Sequence, residues 1–176
     1  MSQTLKPVLV TGANKGIGLA IVTAALEADD RIAVFLGSRD SARGEKARND
    51  LLALHPDWAG RLYKLTLDVA DDASVANAAA QIASTYPGNP HPLYAVVNNA
   101  GIAAEAGDMS MVLNVNVHGV RRVCDALVPL LDRHAGRIVN VASASGPNFL
   151  SQCSPAIQTA LTRPDITWAD IDNIME

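Results

Sequence analysis

Charge, aromatic rings and cysteine are all scarce in this sequence. Charged residues fill 18% of the 176 positions and aromatics 4%, and there are two cysteines. The formal net charge of −4 has the wrong sign for a nucleic-acid backbone or an anionic membrane surface. So few aromatics also leave no platform for stacking bases. Cys124 and Cys153 lie in different segments with no Cys-x-x-Cys spacing, and His55, His91, His118 and His134 are equally scattered. Neither a disulfide framework nor a metal site is expected. No apolar run approaches the roughly 20 residues of a membrane helix. The "PVLV" that follows Lys6 is too short for the apolar core of a signal peptide. The expectation is a cytoplasmic protein without nucleic-acid, membrane or metal partners.

Aliphatic residues are what the chain has in quantity. Hydrophobic positions make up 49%, enough to build the core of one domain. Strand-like runs at 7–11, 31–38, 61–69, 93–97 and 137–142 alternate with helical patterns. Leu65, Leu67 and Val69 share one side of the third run, and "GRIVNVASASG" opens as a buried strand. Ile17, Ala20, Ile21, Ala24 and Ala25 repeat at helical spacing, a charged helix covers 41–55 before Pro56, and Asp71 and Asp72 are capping candidates for the next. A long helical pattern covers 108–133, and two short ones close the chain, starting at Ser154-Pro155 and at Thr167. Five strands joined by helical crossovers predict an α/β fold with a parallel, doubly wound sheet of the Rossmann type. A dinucleotide-binding domain is expected over 1–146, with 147–176 a helical tail of the same domain. Such sheets bind ligands outside the carboxyl ends of their strands, where every candidate motif falls.

"TGANKGIG" (11–18) lies between the first strand and the first helix. Gly12 permits a tight turn, Gly16 lets backbone approach a pyrophosphate and Gly18 lets helix and strand pack closely. The alternative is a glycine-rich turn without a ligand. About 20 positions on, where a ribose-binding carboxylate is looked for, stands Ser38, followed by Arg39. With Lys15 in the loop, this suits the 2′-phosphate of NADPH. Asp40 could instead hold a ribose diol, and both cations could be solvated loop charges. Asp68 and Val69 end the third strand and "NNAG" (98–101) ends the fourth.

In this order, "TGANKGIG", "LDV", "NNAG", "NVNVHG" and "GRIVNVASASG" resemble the motif set of the short-chain dehydrogenase/reductases, and most of all the monomeric NADPH-dependent carbonyl reductases. "SQCSPAIQTAL" resembles an insertion of those reductases, which implies a monomer. The resemblance assigns Gly12, Asn14, Lys15, Gly16, Ile17 and Gly18 to the cofactor loop, and Arg39 to the 2′-phosphate. It gives Asp68 and Val69 to the adenine, and Asn99, Ala100 and Gly101 to the ribose side. Asn116 matches an asparagine that supports a proton relay. Ser143 matches the serine that polarises a carbonyl, because its Ser-x-x-Gly spacing to Gly146 fits, and Ser145 is then a turn residue. Ser143 could also merely cap the following turn.

The implied reaction is NADPH-dependent reduction of a small-molecule aldehyde, ketone or quinone, with a tyrosine as general acid and a lysine four residues on. A free tyrosine has a pKa of about 10, which the lysine lowers. Here Tyr63, Tyr86 and Tyr94 all precede Ser143, and Lys64 is the last lysine. The chain thus looks C-terminally incomplete, like the first two-thirds of a reductase, with weak or no activity of its own. The alternatives are a dinucleotide-binding or regulatory protein without turnover, and a fragment that does not fold stably.

Overall fold

The computed structural model of the chain describes residues 4–103 and 108–175. Two compact units are present, Met1–Asn140 and Val141–Glu176. The first holds a five-stranded sheet in the order β3-β2-β1-β4-β5. Its strands are β1 (Lys6–Val10), β2 (Ile32–Ser38), β3 (Leu62–Thr66), β4 (Ala95–Asn98) and β5 (Arg137–Asn140), every pair parallel. In the central strand, Val10 pairs with Leu36 on one side and Val97 on the other.

Alternation along these strands builds two cores, because successive side chains point to opposite faces. Val8, Val10, Val34 and Leu36 pack with Val22 and Leu26 of α1 (Gly16–Ala28) and Ala47 and Leu51 of α2 (Ser41–Leu54). Leu9, Phe35, Leu65 and Val96 pack with Val75, Ala78 and Ile82 of α3 (Asp72–Thr85) and Val123 and Leu127 of α5 (Gly119–Leu127). The helices start where local chemistry directs. Asp40 and Asp71 accept the Arg43 and Ser74 backbone N–H groups as N-caps of α2 and α3.

Three expectations are corrected. The continuous helix over 108–133 is broken into α4 (Met109–Leu113), a wide π turn (Asn114–His118), α5 and a 3-10 turn (Val128–Leu130). A Cβ on Gly119 would stand 2.9 Å from Val69 Cγ2, so the chain draws close to the end of β3 there, and Pro129 cannot continue the ladder. The fifth strand is not buried: it is an edge of the sheet that pairs with β4 alone, all four of its residues are exposed, and neither core includes any of them. Ser145 begins a helix, α6 (Ser145–Leu150), instead of occupying a turn.

The second unit contains α6, α7 (Pro155–Thr162) and α8 (Trp168–Met175). Ser154 caps α7, and Thr167 and Asp170 cap each other reciprocally at the start of α8, each backbone N–H donating to the other's side chain. Among the described residues no helix is long and apolar enough to cross a membrane.

The two-sided burial of β1 makes its residues the most sensitive to truncation. Leu9→Ala, at a fully buried position, is expected to cost about 2–5 kcal/mol in urea unfolding. Leu54→Ala, 75% exposed at the end of α2, is expected to change stability by less than about 0.5 kcal/mol.

Candidate cofactor-binding site

The sheet order reverses between β1 and β4, and that junction is fastened by one buried hydroxyl. Thr11 Oγ1 donates to Val97 O at 3.4 Å and accepts from Asn99 N at 3.0 Å and Ala100 N at 2.9 Å. Asn99 Nδ2 returns the contact, donating to Thr11 O at 2.8 Å and Gly12 O at 3.2 Å. Gly12 sits at φ 62°, and a Cβ there would stand 2.8 Å from Ala100 Cα. Gly16 is also left-handed, at φ 57°, but a Cβ on it would meet no atom within 4 Å. The first glycine is therefore required by close packing, and the second faces open space.

That space is a cavity of about 400 Å³. Gly12, Asn14, Lys15, Gly16, Ile17 and Gly18 line one side of it. Here α1 begins with no side-chain cap, so its first-turn N–H groups and dipole are available to an anion. Arg39, Asp68 and Val69 line the far end, and Asn99, Ala100 and Gly101 the β4 side. All twelve residues expected around a cofactor thus border one cavity.

Asp40, Arg43, Leu67, Ile102 and Val115 border it too. Asp40 is drawn into the start of α2, where one carboxylate oxygen accepts from Arg43 N at 2.9 Å and the other from Arg43 Nε at 2.8 Å. These two contacts with Arg43 hold its carboxyl below the usual carboxylate range. Arg43 was not singled out from sequence, although its position one helical turn after Arg39 was a usable signal. Arg39 Nε lies 4.0 Å from Asp68 Oδ2, an exposed and weak pairing. Asp68 is oriented by Ala70 N, which donates to its Oδ1 at 3.0 Å.

The two residues expected to assist chemistry are placed differently. Asn116, in the π turn, holds Ile102 by both of its backbone groups: Oδ1 accepts from Ile102 N and Nδ2 donates to Ile102 O, each at 2.9 Å. Ser143 belongs to the second unit. Its Oγ donates to Ser145 Oγ at 3.0 Å and accepts from Ser145 N at 3.1 Å, so its hydroxyl is engaged within its own turn.

A family profile described as short chain dehydrogenase matches residues 6–155. The chain belongs to the short-chain dehydrogenase family. Carbonyl reductase (NADPH) 1 of Sus scrofa is 36% identical over 184 residues, covering 99% of this chain and 60% of its own length. The chain therefore spans about three-fifths of the curated relatives it matches. Among solved structures, menthone neomenthol reductase from Mentha piperita superposes with a TM-score of 0.77 at 29% identity, over 98% of this chain and 72% of that one. NADPH-bound carbonyl reductase from chicken fatty liver gives 0.66 at 28% identity, over 82% and 60%.

The two left-handed glycines in the 11–18 loop of this short-chain dehydrogenase should separate on substitution. Gly12→Ala combines backbone strain with a clash against Ala100 and is expected to destabilise by about 2–4 kcal/mol. Gly16→Ala carries only the strain, about 1–2 kcal/mol, while its methyl group enters the cavity. Urea unfolding of both variants checks the order.

The Asp40 pairing has a pH signature. Its charged form adds stability that is complete above the ordinary value of 3.8 and is lost as pH falls through the lower folded value. Asp40→Asn keeps an acceptor for Arg43 N but loses the ion pair. The stability gap between wild type and Asp40→Asn is expected to be constant near neutrality and to shrink in acid. A gap that widens on acidification would contradict it.

Proposed function

We propose that the chain binds NADPH in this cavity and forms the cofactor side of a reductase acting on a small-molecule carbonyl compound. The observation that carries the cofactor choice is the charge arrangement at the end of β2. Lys15, Arg39 and Arg43 border the cavity together, and Asp40, the carboxylate after β2 that could hold a ribose diol, is committed to α2 and Arg43. Two guanidinium groups offer planar forks to a 2′-phosphate, and Lys15 a point charge. The names of the matching relatives, carbonyl reductase (NADPH) among them, support the same reading.

The residues then divide the work. The open backbone at Gly16 and the start of α1 take the pyrophosphate, Asp68 and Val69 bound the adenine, and Gly101 lets the ribose pass close to backbone. Bound NADPH supplies the hydride. Ser143 is assigned to donate a hydrogen bond to the substrate oxygen, for which its hydroxyl must leave Ser145. Asn116 steadies the Ile102 segment beside the cofactor. These 176 residues contain no Tyr-x-x-x-Lys after Ser143, so they offer no general acid of that type. A second reading, dinucleotide binding without turnover, is favoured by the engagement of Ser143.

Titration of NADPH fluorescence tests the binding. Saturable binding is expected, with Arg39→Ala weakening NADPH about tenfold or more through the lost charge-assisted contact and leaving NADH nearly unchanged. Equal wild-type affinities for the two cofactors would refute the assignment. NADPH oxidation with simple aldehydes and quinones separates the two readings for this chain: turnover at ordinary enzyme rates would exclude the binding-only one.

A further inference from the structure

Arg122, on the buried flank of α5, reaches three segments at once. Its side chain is 25% exposed, and its Nε pairs with Asp72 Oδ1 at 2.6 Å, at the start of α3. Nη1 donates to Val69 O and to Asn114 O, both at 3.3 Å, and Nη2 donates to Asn114 Oδ1 at 2.7 Å. Val69 is part of the cavity's adenine end, and Asn114 opens the π turn that carries Val115 and Asn116. Asn116 in turn grips Ile102, on the β4 side of the cavity. A continuous set of hydrogen bonds therefore runs from Val69 through Arg122 and the π turn to Ile102.

The π turn explains why such a support is needed. In a wide turn the helical ladder is interrupted, and the Asn114 carbonyl receives the Gly119 N–H five residues on. Arg122 adds two external donors to the same residue, one on its carbonyl and one on its side chain. A planar guanidinium can satisfy four acceptors lying in different directions, which an ammonium cannot. Gly119, with no Cβ to hold Val69 away, lets β3 and the turn approach closely enough for this.

We infer that Arg122 is a positioning residue for the cofactor site: it locks the π turn to the adenine wall and so sets the Asn116–Ile102 contact on the opposite wall. The inference rests on the cofactor reading for its functional meaning, but the linkage itself does not. Arg122 does not border the cavity, so it acts through Val69 and Asn116.

Amide hydrogen exchange of the whole chain by NMR tests it, with Ile102 N–H as the reporter and Val34 N–H, in the buried sheet, as the control. In Arg122→Met the Ile102 amide is expected to exchange about tenfold faster, the effect of losing one charged hydrogen-bond contact, while Val34 is unchanged. Arg122→Lys should restore the Asp72 pair but not the protection of Ile102. Asn114→Ala, which removes only the 2.7 Å contact, should shift Ile102 in the same direction and serves if the methionine variant does not fold. Unchanged Ile102 exchange in the folded variants overturns the inference, as does equal acceleration at Val34, which would mark a merely structural role. Adding adenosine 2′,5′-bisphosphate gives the second arm. Wild-type Ile102 should gain protection, and Arg122→Met should bind the probe without that gain. A gain that persists in Arg122→Met also overturns the inference. Failure of the wild type to bind the probe defeats the cofactor reading instead, and the ligand-free exchange still decides the linkage.

Discussion

Thr11 is the fastening on which the site depends. A hydroxyl with 1% exposure must find partners or leave buried polar atoms unpaired. Thr11 finds them across the gap between β1 and β4, accepting the two backbone N–H groups that follow β4. That contact brings Ala100 against Gly12 closely enough that a methyl group on Gly12 could not fit. Asn99 is consequently turned inward, to the carbonyls of Thr11 and Gly12. The same few bonds fix the loop that opens α1, the ends of the two central strands, and thereby the floor of the cavity.

Around that floor the electrostatics are set by which carboxylates are occupied. The chain is acidic overall, yet three cations border the cavity, because Asp40 is committed to its own helix and Arg43. Asp68, the other acidic lining residue, meets Arg39 only at 4.0 Å with the arginine largely exposed. Exposed pairs at that separation contribute little. Arg39 can therefore exchange Asp68 for a phosphate at small cost, whereas Asp40 holds Arg43 through a shorter bond and a helix cap. The two arginines are thus unequal partners for an anion, one free to turn toward it and one held in place.

Much of this was legible in the sequence because it is local. The alternation of Leu65, Leu67 and Val69 and the helical spacing of Ile21 and Ala25 sort residues onto faces before any contact is known, and the first three pack in one core while the last two pack against the other. Gly12, Gly16 and Gly18 stood out because a strand, a tight turn and a helix start leave a short-range mark. The misread elements depend on distant neighbours. The apolar run at 137–140 specifies a strand, but only the sheet order makes it an edge. The helical pattern over 108–133 is genuine as a periodicity. Its interruption falls where the chain draws close to Val69, some fifty residues earlier, at Gly119. Arg122 escaped for the same reason: a lone arginine on a helix carries no sign of what it will reach.

The arrangement also separates binding from chemistry. Every residue that borders the cavity lies within the Met1–Asn140 unit, and the hydrogen bonds that shape it, from Thr11 to Ala100 and from Arg122 to Asn114, are all made inside that unit. Ser143 lies outside it and spends its hydroxyl on Ser145. The Ser-x-x-Gly spacing matches Ser143, not Ser145, to the proposed carbonyl-polarising position, but the two hydroxyls hold each other in the structure. In the proposed role of Ser143, a substrate oxygen would compete with a neighbouring serine for that hydrogen bond, whereas the cofactor meets cations and open backbone already in place. Dinucleotide binding is consequently the property these residues support most directly, and the proposed carbonyl reduction asks in addition for a released Ser143.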